Sequence, residues 1–313
     1  MFARTSRTRA SLAGTSLVRT AQVSCACITA VLAATVPAAP AAAATFNVAC
    51  SEGALVAAIN AANGTTASDT LNLSPHCTYA LTGELPAITS TIEINGANAT
   101  LGPSSGAFRI LTVNGGDLTL RSTVVEGGNA AGSPVATGAG GGIVVTGNGA
   151  LTLTSSVVRS NLANFGGGLS VFTGSRAVVR ASTISDNTAN NNGGGIVSDG
   201  TVSVTASRIT DNRAGNAGGG IASIGTLTVT STNIADNDAG IGAGVANGVP
   251  GIPQGTAALT ATTITGNTAT AAPGGLYNNN PAAGAVRLTA TRITGNLPSN
   301  CTGSPVLVTG CAN

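Results

Sequence analysis

Three aspartates recur at one place in a repeating sequence: Asp186, Asp211 and Asp236 each stand immediately before an asparagine, at steps of 25 residues. If the repeats stack as neighbouring strands about 4.8 Å apart, the carboxylates form a file. Such an Asp file could bind Ca²⁺ or supply paired carboxylates for acid–base catalysis. The other interpretation is a favoured turn residue with its side chain in water. We favour the turn, because other repeats break the file with Ser160, Gly266 and Gly295.

A second candidate site is an aromatic residue beside amides, the run Tyr277, Asn278, Asn279 and Asn280. It lies in one of two long insertions, which start near residues 246 and 277 and follow the same strand of adjacent repeats. We therefore expect the two insertions to form one lip. An aromatic ring flanked by amides suits a sugar. The alternative, which we favour, is a variable loop with solvated polar residues.

Other chemistries lack their residues. The chain has no lysine, which a Walker-type phosphate loop requires, and its one histidine, His76, is interpreted as a surface residue beside Cys77. Alternating threonines suggest an ice-binding face, because a flat hydroxyl array can order water. Arg121, Val178 and Arg180 interrupt that array, and threonine is also a good strand former.

These candidates depend on the repeat that positions them. A Gly-rich anchor recurs as "GGGIVV", "GGGLSV", "GGGIVS", "GGGIAS", "GAGVAN" and "GGLYNN". A second anchor, as in "RITDN", ends in asparagine at steps of 26, 25, 25, 30 and 29 residues. The column contains Asn161, Asn187, Asn212, Asn237, Asn267 and Asn296. Self-similarity at this period is the signature of a stacked repeat protein.

Between the anchors, segments such as "TLTVTST" alternate apolar and polar residues with period two, which predicts short strands. Stacking each strand on its equivalent in the next repeat buries the apolar columns. Short turns then force a coil, so the sequence predicts an all-β parallel β-helix. The Asn column is expected to hydrogen-bond at one corner, and glycine to supply the backbone angles of the next.

The first 44 residues have the composition of a secretory signal peptide: four arginines, an apolar run and an Ala-rich end. A transmembrane anchor is the alternative, but the run is short and ends at prolines. Cleavage near Ala44 would leave nine arginines against eleven acidic residues, a formal charge of about −2. The mature chain therefore has no excess of basic residues for binding nucleic acid. We also expect no membrane association after cleavage.

Four cysteines then remain as two local pairs at the two ends of the domain. We predict Cys50–Cys77 and Cys301–Cys311 disulfides, because an exported chain meets an oxidising environment. Zinc is the competing interpretation, but it requires closely spaced ligands and histidine partners.

The predicted domain covers residues 45–313: an N-terminal cap over 45–69, rungs over 70–296 and a C-terminal closure over 297–313. The segment 51–64 predicts a short cap helix, with Ser51 as N-cap and an apolar face. Earlier, less regular strands are expected near residues 70–73, 92–94, 109–113 and 118–125.

The tandem "GGGI" and "ITDN" units resemble the GGAI and FxxN repeats of polymorphic outer-membrane proteins and, more broadly, the pectin-lyase-like β-helix superfamily. The opening "CSEGALVAAINAAN" is similar to the CSLREAI-type segment of secreted bacterial β-helix proteins. Ile or Val replaces the Phe of FxxN. The resemblance implies a right-handed parallel β-helix. Activity, in contrast, varies within the superfamily among lyases, hydrolases and adhesins.

From these observations we expect a secreted, monomeric, non-catalytic β-helix that binds an extracellular polysaccharide or a surface protein, with no cofactor unless the Asp file holds Ca²⁺. The first alternative is a polysaccharide lyase or hydrolase that uses the Asp file. The second is an ice-binding threonine face. The ligand itself is not specified by the sequence.

Overall fold

A computed structural model describes residues 42–132 and 138–311. The predicted signal peptide lies almost entirely outside the described residues. The protein is an all-β parallel β-solenoid of about nine turns, and the described residues contain one short helix near their N-terminal end. The predicted fold class is confirmed.

The N-terminal part is irregular. In chain order its elements are β1 (Thr45–Val48), α1 (Glu52–Asn63), β2 (Asp69–Leu73), β3 (Thr78–Leu81), β4 (Thr91–Pro103), β5 (Leu111–Asn114) and β6 (Asp117–Glu126). The strands expected near residues 70, 92, 109 and 118 correspond to β2, β4, β5 and β6.

The remaining strands are short and regular. They are β7 (Ile143–Thr146), β8 (Ala150–Thr154), β9 (Val157–Arg159), β10 (Leu162–Ala163), β11 (Leu169–Val171), β12 (Arg176–Arg180), β13 (Thr183–Ser185), β14 (Thr188–Ala189), β15 (Ile196–Ser198), β16 (Thr201–Thr205), β17 (Arg208–Thr210), β18 (Arg213–Ala214), β19 (Ile221–Ser223), β20 (Thr226–Thr230), β21 (Asn233–Ala235), β22 (Asp238–Ala239), β23 (Val245–Asn247), β24 (Thr256–Thr260), β25 (Thr263–Thr265), β26 (Thr268–Ala269), β27 (Leu276–Asn278), β28 (Val286–Thr289) and β29 (Arg292–Thr294).

Three parallel sheets form the sides of the coil. Sheet A has 17 strands, sheet B, which holds the Gly-rich anchors, has seven, and sheet C has five. A representative turn runs from β15 in sheet B to β16 and β17 in sheet A and then to β18 in sheet C. Each strand pairs in parallel with its equivalent in the next turn, as the repeat predicts.

Columns of aliphatic side chains fill the lumen. One column stacks isoleucines of five successive turns in register, of which four are fully buried: Ile184, Ile209, Ile234, Ile264 and Ile293. Burial of each such side chain contributes about 1.5–3 kcal/mol. The narrow lumen explains why a stable core needs few aromatic residues.

The predicted Asn ladder is confirmed. All six asparagines are at least 96% buried, and each Nδ2 donates to the next ladder member's Oδ1 at 2.8–3.0 Å. Asn300 accepts from Asn296 and extends the ladder by one amide, at 3.0 Å. Each Nδ2 also donates to a strand carbonyl, as Asn212 does to Ile184 at 2.9 Å. The corner's buried polar groups are thereby satisfied.

A second buried polar column follows the bend between the two sheet A strands of each turn. Ser182, for example, donates through Oγ to the Arg180 carbonyl at 2.7 Å, and its backbone N–H donates to Ser207 Oγ at 3.2 Å. The column contains Ser156, Ser182, Ser207, Thr232 and Thr262. The sequence pattern left these residues among outward polar positions, because the bend shifts the alternation by one residue.

A helix and a disulfide lie near the N-terminal end of the solenoid, and a second disulfide lies near the C-terminal end. Helix α1 begins after Ser51, whose Oγ accepts from Ala54 N at 3.3 Å, and it buries an apolar face that includes Leu55 and Ile59. Hydrogen bonds from Thr82 lower the pKa of the Glu52 carboxyl in its first turn. Both predicted disulfides are present, with Cα–Cα distances of 5.8 Å for Cys50–Cys77 and 6.3 Å for Cys301–Cys311.

Candidate functional site

The Asp file occupies exposed corners next to the Asn ladder. Asp186, Asp211 and Asp236 have φ angles of 57°, 60° and 57°, in the left-handed region. The equivalent residues of neighbouring turns share this conformation: Gly127, Ser160, Gly266 and Gly295. Aspartate and glycine are two of the residues that adopt it most readily. The conformation therefore accounts for the aspartates and for the glycines that interrupt them.

No group of three or more His, Cys, Asp or Glu side chains able to hold a metal ion occurs among residues 42–132 and 138–311. A corner groove of about 530 Å³ does place Asp186 near Glu126 and Arg159. The Glu126 carboxylate, however, is paired with Arg159, Oε2 to Nε at 2.6 Å. This groove thus contains one ion-paired carboxylate and one at a turn corner.

The corner conformation gives a direct prediction for Asp211. Asp211→Gly is expected to leave the free energy of unfolding within about 0.5 kcal/mol of the wild type, because glycine adopts positive φ without steric cost. Asp211→Val should lower it by about 1–3 kcal/mol. Urea unfolding measures both values. A larger loss in Asp211→Gly, or a Ca²⁺-dependent rise in stability that this variant lacks, would assign the carboxylate a role beyond the turn.

The two long insertions lie together, as expected for the lip. Asn279 Nδ2 donates to Val249 O at 2.8 Å, and Asn280 Nδ2 donates to Gly255 O at 2.6 Å. Tyr277 is 4% exposed, and burial raises the pKa of its hydroxyl. Asn278 is 2% exposed and accepts from Asn247. The lip side chains therefore join the two insertions to each other.

The outward column of sheet B is unexpectedly covered. Its residues alternate with the lumen column, yet most are at least 96% buried: Val144, Ser170, Ala222, Ala246 and Tyr277. Loop side chains that include Val249, Ile224 and Ile241 pack over the last three of these residues. This outer face is therefore an apolar floor between two rims of loops.

Part of this floor remains open as a groove of about 180 Å³, the sheet B groove. Ser170, Val197 and Ala222, aligned on adjacent strands, form its base. Half-buried Phe165 and Phe172 line it from the loops before and after β11. The insertion that starts near residue 246 contributes Val249 and Ile252, which also line the groove.

Four polar side chains line the same groove, of which Ser170 and Ser198 are buried and Asn192 and Asp199 are half-buried. Asn192 accepts through Oδ1 from Asn216 Nδ2 at 2.8 Å and from Ala217 N at 3.1 Å, so its amide can still donate to a ligand. Asp199, the one charged residue among those that line the groove, accepts from Thr173 Oγ1 through Oδ2 at 2.9 Å. Asp199 Oδ1 is thus an acceptor suited to a hydroxyl or ammonium group. Sequence patterns did not bring these groove residues together as a candidate site, although the apolar outward column was a signal for it.

A buried arginine supports one rim. Arg109 is 0% exposed, donates from Nε and Nη2 to Ala139 O at 3.0 and 2.7 Å, and pairs with Glu84 Oε1 at 3.2 Å. Burial lowers the pKa of its guanidinium, while the charge of Glu84 acts in the opposite direction. Ala139 lines the groove and bridges to Phe165. Arg109 therefore anchors the backbone beside that ring.

The outer face of sheet A carries a hydroxyl array. Thr201, Ser203 and Thr205 of β16 are in register with the outward threonines of β20. The outward threonines of β24 continue this array at the two ends of β24. The predicted interruptions, Arg121, Val178 and Arg180, lie on earlier turns. The three turns from β16 to β24 therefore have no charged outward residue on this strand.

Comparisons with protein-family models, with curated proteins and with solved structures gave no match. The fold therefore defines the class of protein, a parallel β-solenoid with a covered outer face on sheet B. No helix in the described part of the chain is long and apolar enough to cross a membrane.

Proposed function

We propose that this β-solenoid is an exported, non-catalytic protein that binds an extracellular glycan in the sheet B groove. The observation that carries the proposal is the combination of two half-buried aromatic rings, Phe165 and Phe172, with one amide and one carboxylate over an apolar floor. Ligand sites typically combine such an apolar lining with a few orienting polar groups.

The lining also favours one class of sugar. Hexoses have apolar C–H faces that pack on aromatic rings, and their hydroxyls match the donors of Asn192 and the acceptor of Asp199. Because Asp199 is the one charged residue lining the groove, a polyuronate would meet like charge. Neutral sugars or amino sugars are therefore the proposed ligands.

Export is supported by the two disulfides and by the composition of the first 44 residues. Disulfides persist in oxidising compartments outside the cytosol. The pectin-lyase-like relationship and the polymorphic outer-membrane repeat type are part of the same proposal, supported by the "GGGI" and "ITDN" repeats on a β-solenoid.

Binding is tested by affinity electrophoresis against neutral, amino and uronic polysaccharides. The wild type is expected to be retarded by a neutral or amino polysaccharide. Phe165→Ala combined with Phe172→Ala should weaken binding at least tenfold, because both stacking surfaces are lost. Phe108→Ala, which removes a half-buried ring that packs on the main core, is the matched control and should bind as the wild type does.

Two results would count against the groove. Unchanged binding by the double phenylalanine variant would place the ligand elsewhere, and loss only in Tyr277→Ala with Asn279→Ala would favour the lip. Retardation by a polyuronate alone would contradict the proposed sugar class. Binding to none of the polysaccharides would reject glycan recognition.

The catalytic alternative is separated by sugar release. A lyase or hydrolase would produce new reducing ends from a polysaccharide, with or without Ca²⁺, and Asp211→Ala or Asp186→Ala would abolish the release. The non-catalytic proposal predicts no release, since Glu126 is ion-paired and the aspartates occupy turn corners.

The hydroxyl array of β16, β20 and β24 favours a second candidate function, binding to ice. The observation that favours ice binding is the in-register set of outward hydroxyls, without charged residues, on three successive turns. Thermal hysteresis that disappears in Thr228→Lys, at the centre of the array, would support it. Freezing behaviour equal to that of an inert protein at the same concentration would exclude it.

A further inference from the structure

Among the described residues, each end of sheet A has two strands that pair on one side only, β1 and β3 at the N-terminal end and β28 and β29 at the C-terminal end. β1 pairs only with β2, and β28 pairs only with β24, among the strands of the described residues. Both strands have four residues. A strand edge exposes a row of backbone donors and acceptors that fits another strand. β1 and β28 can therefore each accept one further strand.

The side chains at these edges are incompletely covered. Val286 and Leu288 of β28 are half-buried, whereas their partners Ala257 and Leu259 in β24 are 2% and 0% exposed. Leu307, in the C-terminal segment, is 85% exposed. At the other end Phe46 of β1 is half-buried. Both ends of the lumen thus retain apolar surface that another strand would cover.

The backbone determines how the two edges would pair. Ala44 O faces β2, because it accepts from Thr70 N at 2.9 Å. Peptide groups alternate sides along a strand, so Asn47 presents its N–H and C=O to the open edge. Ala285 O and Thr289 O face β24. Val286 and Leu288 therefore present their N–H and C=O groups to the open edge of β28.

In a parallel pair, a residue that faces its partner strand lies opposite one that faces away. Placing Asn47 of one copy opposite Arg287 of the next satisfies this rule. The same register places Phe46 opposite Val286 and Val48 opposite Leu288, all on the lumen side. Alternation also permits a shift of two residues, but only this register pairs both apolar side chains of β1 with both of β28, so it is the parallel pairing expected to continue sheet A.

Helix α1 leaves space for this strand. A cleft of about 500 Å³ separates β1 from the helix and is lined by all four β1 residues and by small side chains of α1: Ala54, Ala57, Ala58 and Ala61. Larger residues on this helix face would fill the cleft. The cap is thus compatible with a strand placed beside β1.

The charges at the two ends of the solenoid favour contact between unlike ends. Residues 239–313 contain Arg287 and Arg292 and no acidic residue. Residues 45–108 contain four acidic residues and no arginine, and one of the four, the half-buried Glu52, takes part in none of the ion pairs between described residues. Contact between two like ends would bring like charges together, whereas contact between unlike ends brings opposite charges together.

We propose that the partner of these edges is a second copy of this chain, and that copies associate head to tail, β28 of one against β1 of the next. The interface is heterologous, so it can repeat and form linear assemblies. This association departs from the monomer expected from the sequence. It does not depend on glycan binding, because the sheet B groove lies on a different side of the coil.

Sedimentation velocity of the chain purified from an exporting host tests the proposal. The wild type is expected to sediment faster as its concentration rises, and less so in high salt, which screens the charges at the ends. Asn47→Arg should weaken association about fivefold, because it places like charges directly opposite each other. Asn47→Arg combined with Arg287→Glu should restore association, since the register then pairs opposite charges.

Arg208→Glu, which changes the exposed arginine of β17 in the middle of the solenoid, is the matched control and should associate as the wild type does. A wild type that sediments as a monomer at every concentration would overturn the proposal. So would association that Arg287→Glu abolishes and Asn47→Arg leaves unchanged, because C-terminal ends would then pair with each other.

Discussion

Asn212→Ala is expected to lower the free energy of unfolding by about 3–5 kcal/mol. Its Nδ2 donates to carbonyls of Ile184 and Thr210 at 2.9 Å and to Asn237 Oδ1 at 3.0 Å, and its Oδ1 accepts from the backbone and side chain of Asn187. The side chain is 1% exposed. Alanine removes one hydrogen bond from each of these groups and leaves the buried N–H of Asn187 without its acceptor. Each buried group left unsatisfied costs about 1–3 kcal/mol.

An exposed asparagine provides the matched control for the ladder. Asn190 donates through Nδ2 to Asn164 Oδ1 at 2.8 Å, an amide pair of the same kind in water. Asn190→Ala is therefore expected to cost less than about 0.5 kcal/mol. Guanidinium unfolding followed by circular dichroism measures both variants. Similar small losses in the two would show that the ladder does not hold the corner.

Arg109→Met is expected to lower the free energy of unfolding by about 3–5 kcal/mol. Methionine fills the volume but leaves Glu84 without its ion pair and the carbonyls of Ala139 and Gly140 without the guanidinium. Arg109→Lys should also destabilise, because an ammonium lacks the planar fork that reaches these acceptors together. Thermal unfolding monitors both variants.

A double-mutant cycle separates the ion pair from the packing. Arg109→Met combined with Glu84→Met is expected to be less destabilised than the sum of the single variants by about 1.5 kcal/mol or more, since neither charge is then left alone. Arg180→Met, which removes an exposed arginine, should change stability by less than about 0.5 kcal/mol. Strict additivity of the two single changes would mean that the pair contributes nothing.

The repeat was sufficient to predict the coil and its Asn ladder. A parallel stack fixes equivalent residues in register, so the 25-residue steps of Asn187, Asn212 and Asn237 already place their amides within bonding distance of each other. The cap helix was equally local, because its N-cap and apolar face are adjacent in sequence. The disulfides followed from the positions of the cysteine pairs.

The candidate sites were less predictable, because they depend on backbone angles and on loop coverage. The Asp file has a sequence period, but its left-handed φ angles are visible only in the folded corner. Tyr277 and Asn278 are polar in the sequence and nearly fully buried in the fold. Their burial results from loops of adjacent turns that pack on one another. The sequence of a single repeat does not specify this packing.

The sequence by itself determined the all-β coil, its apolar columns and the asparagine corner, since all three are periodic and any stacked register satisfies them. Only the tertiary structure decided which surfaces are open. Phe165, Asn192 and Asp199 belong to different loops and meet because the turns that carry them are neighbours. Arg109 and Glu84 lie 25 residues apart on irregular turns, where no repeat could indicate their pairing. The sheet B groove is thus a product of stacking, and its chemistry is set by residues that the repeat leaves free to vary.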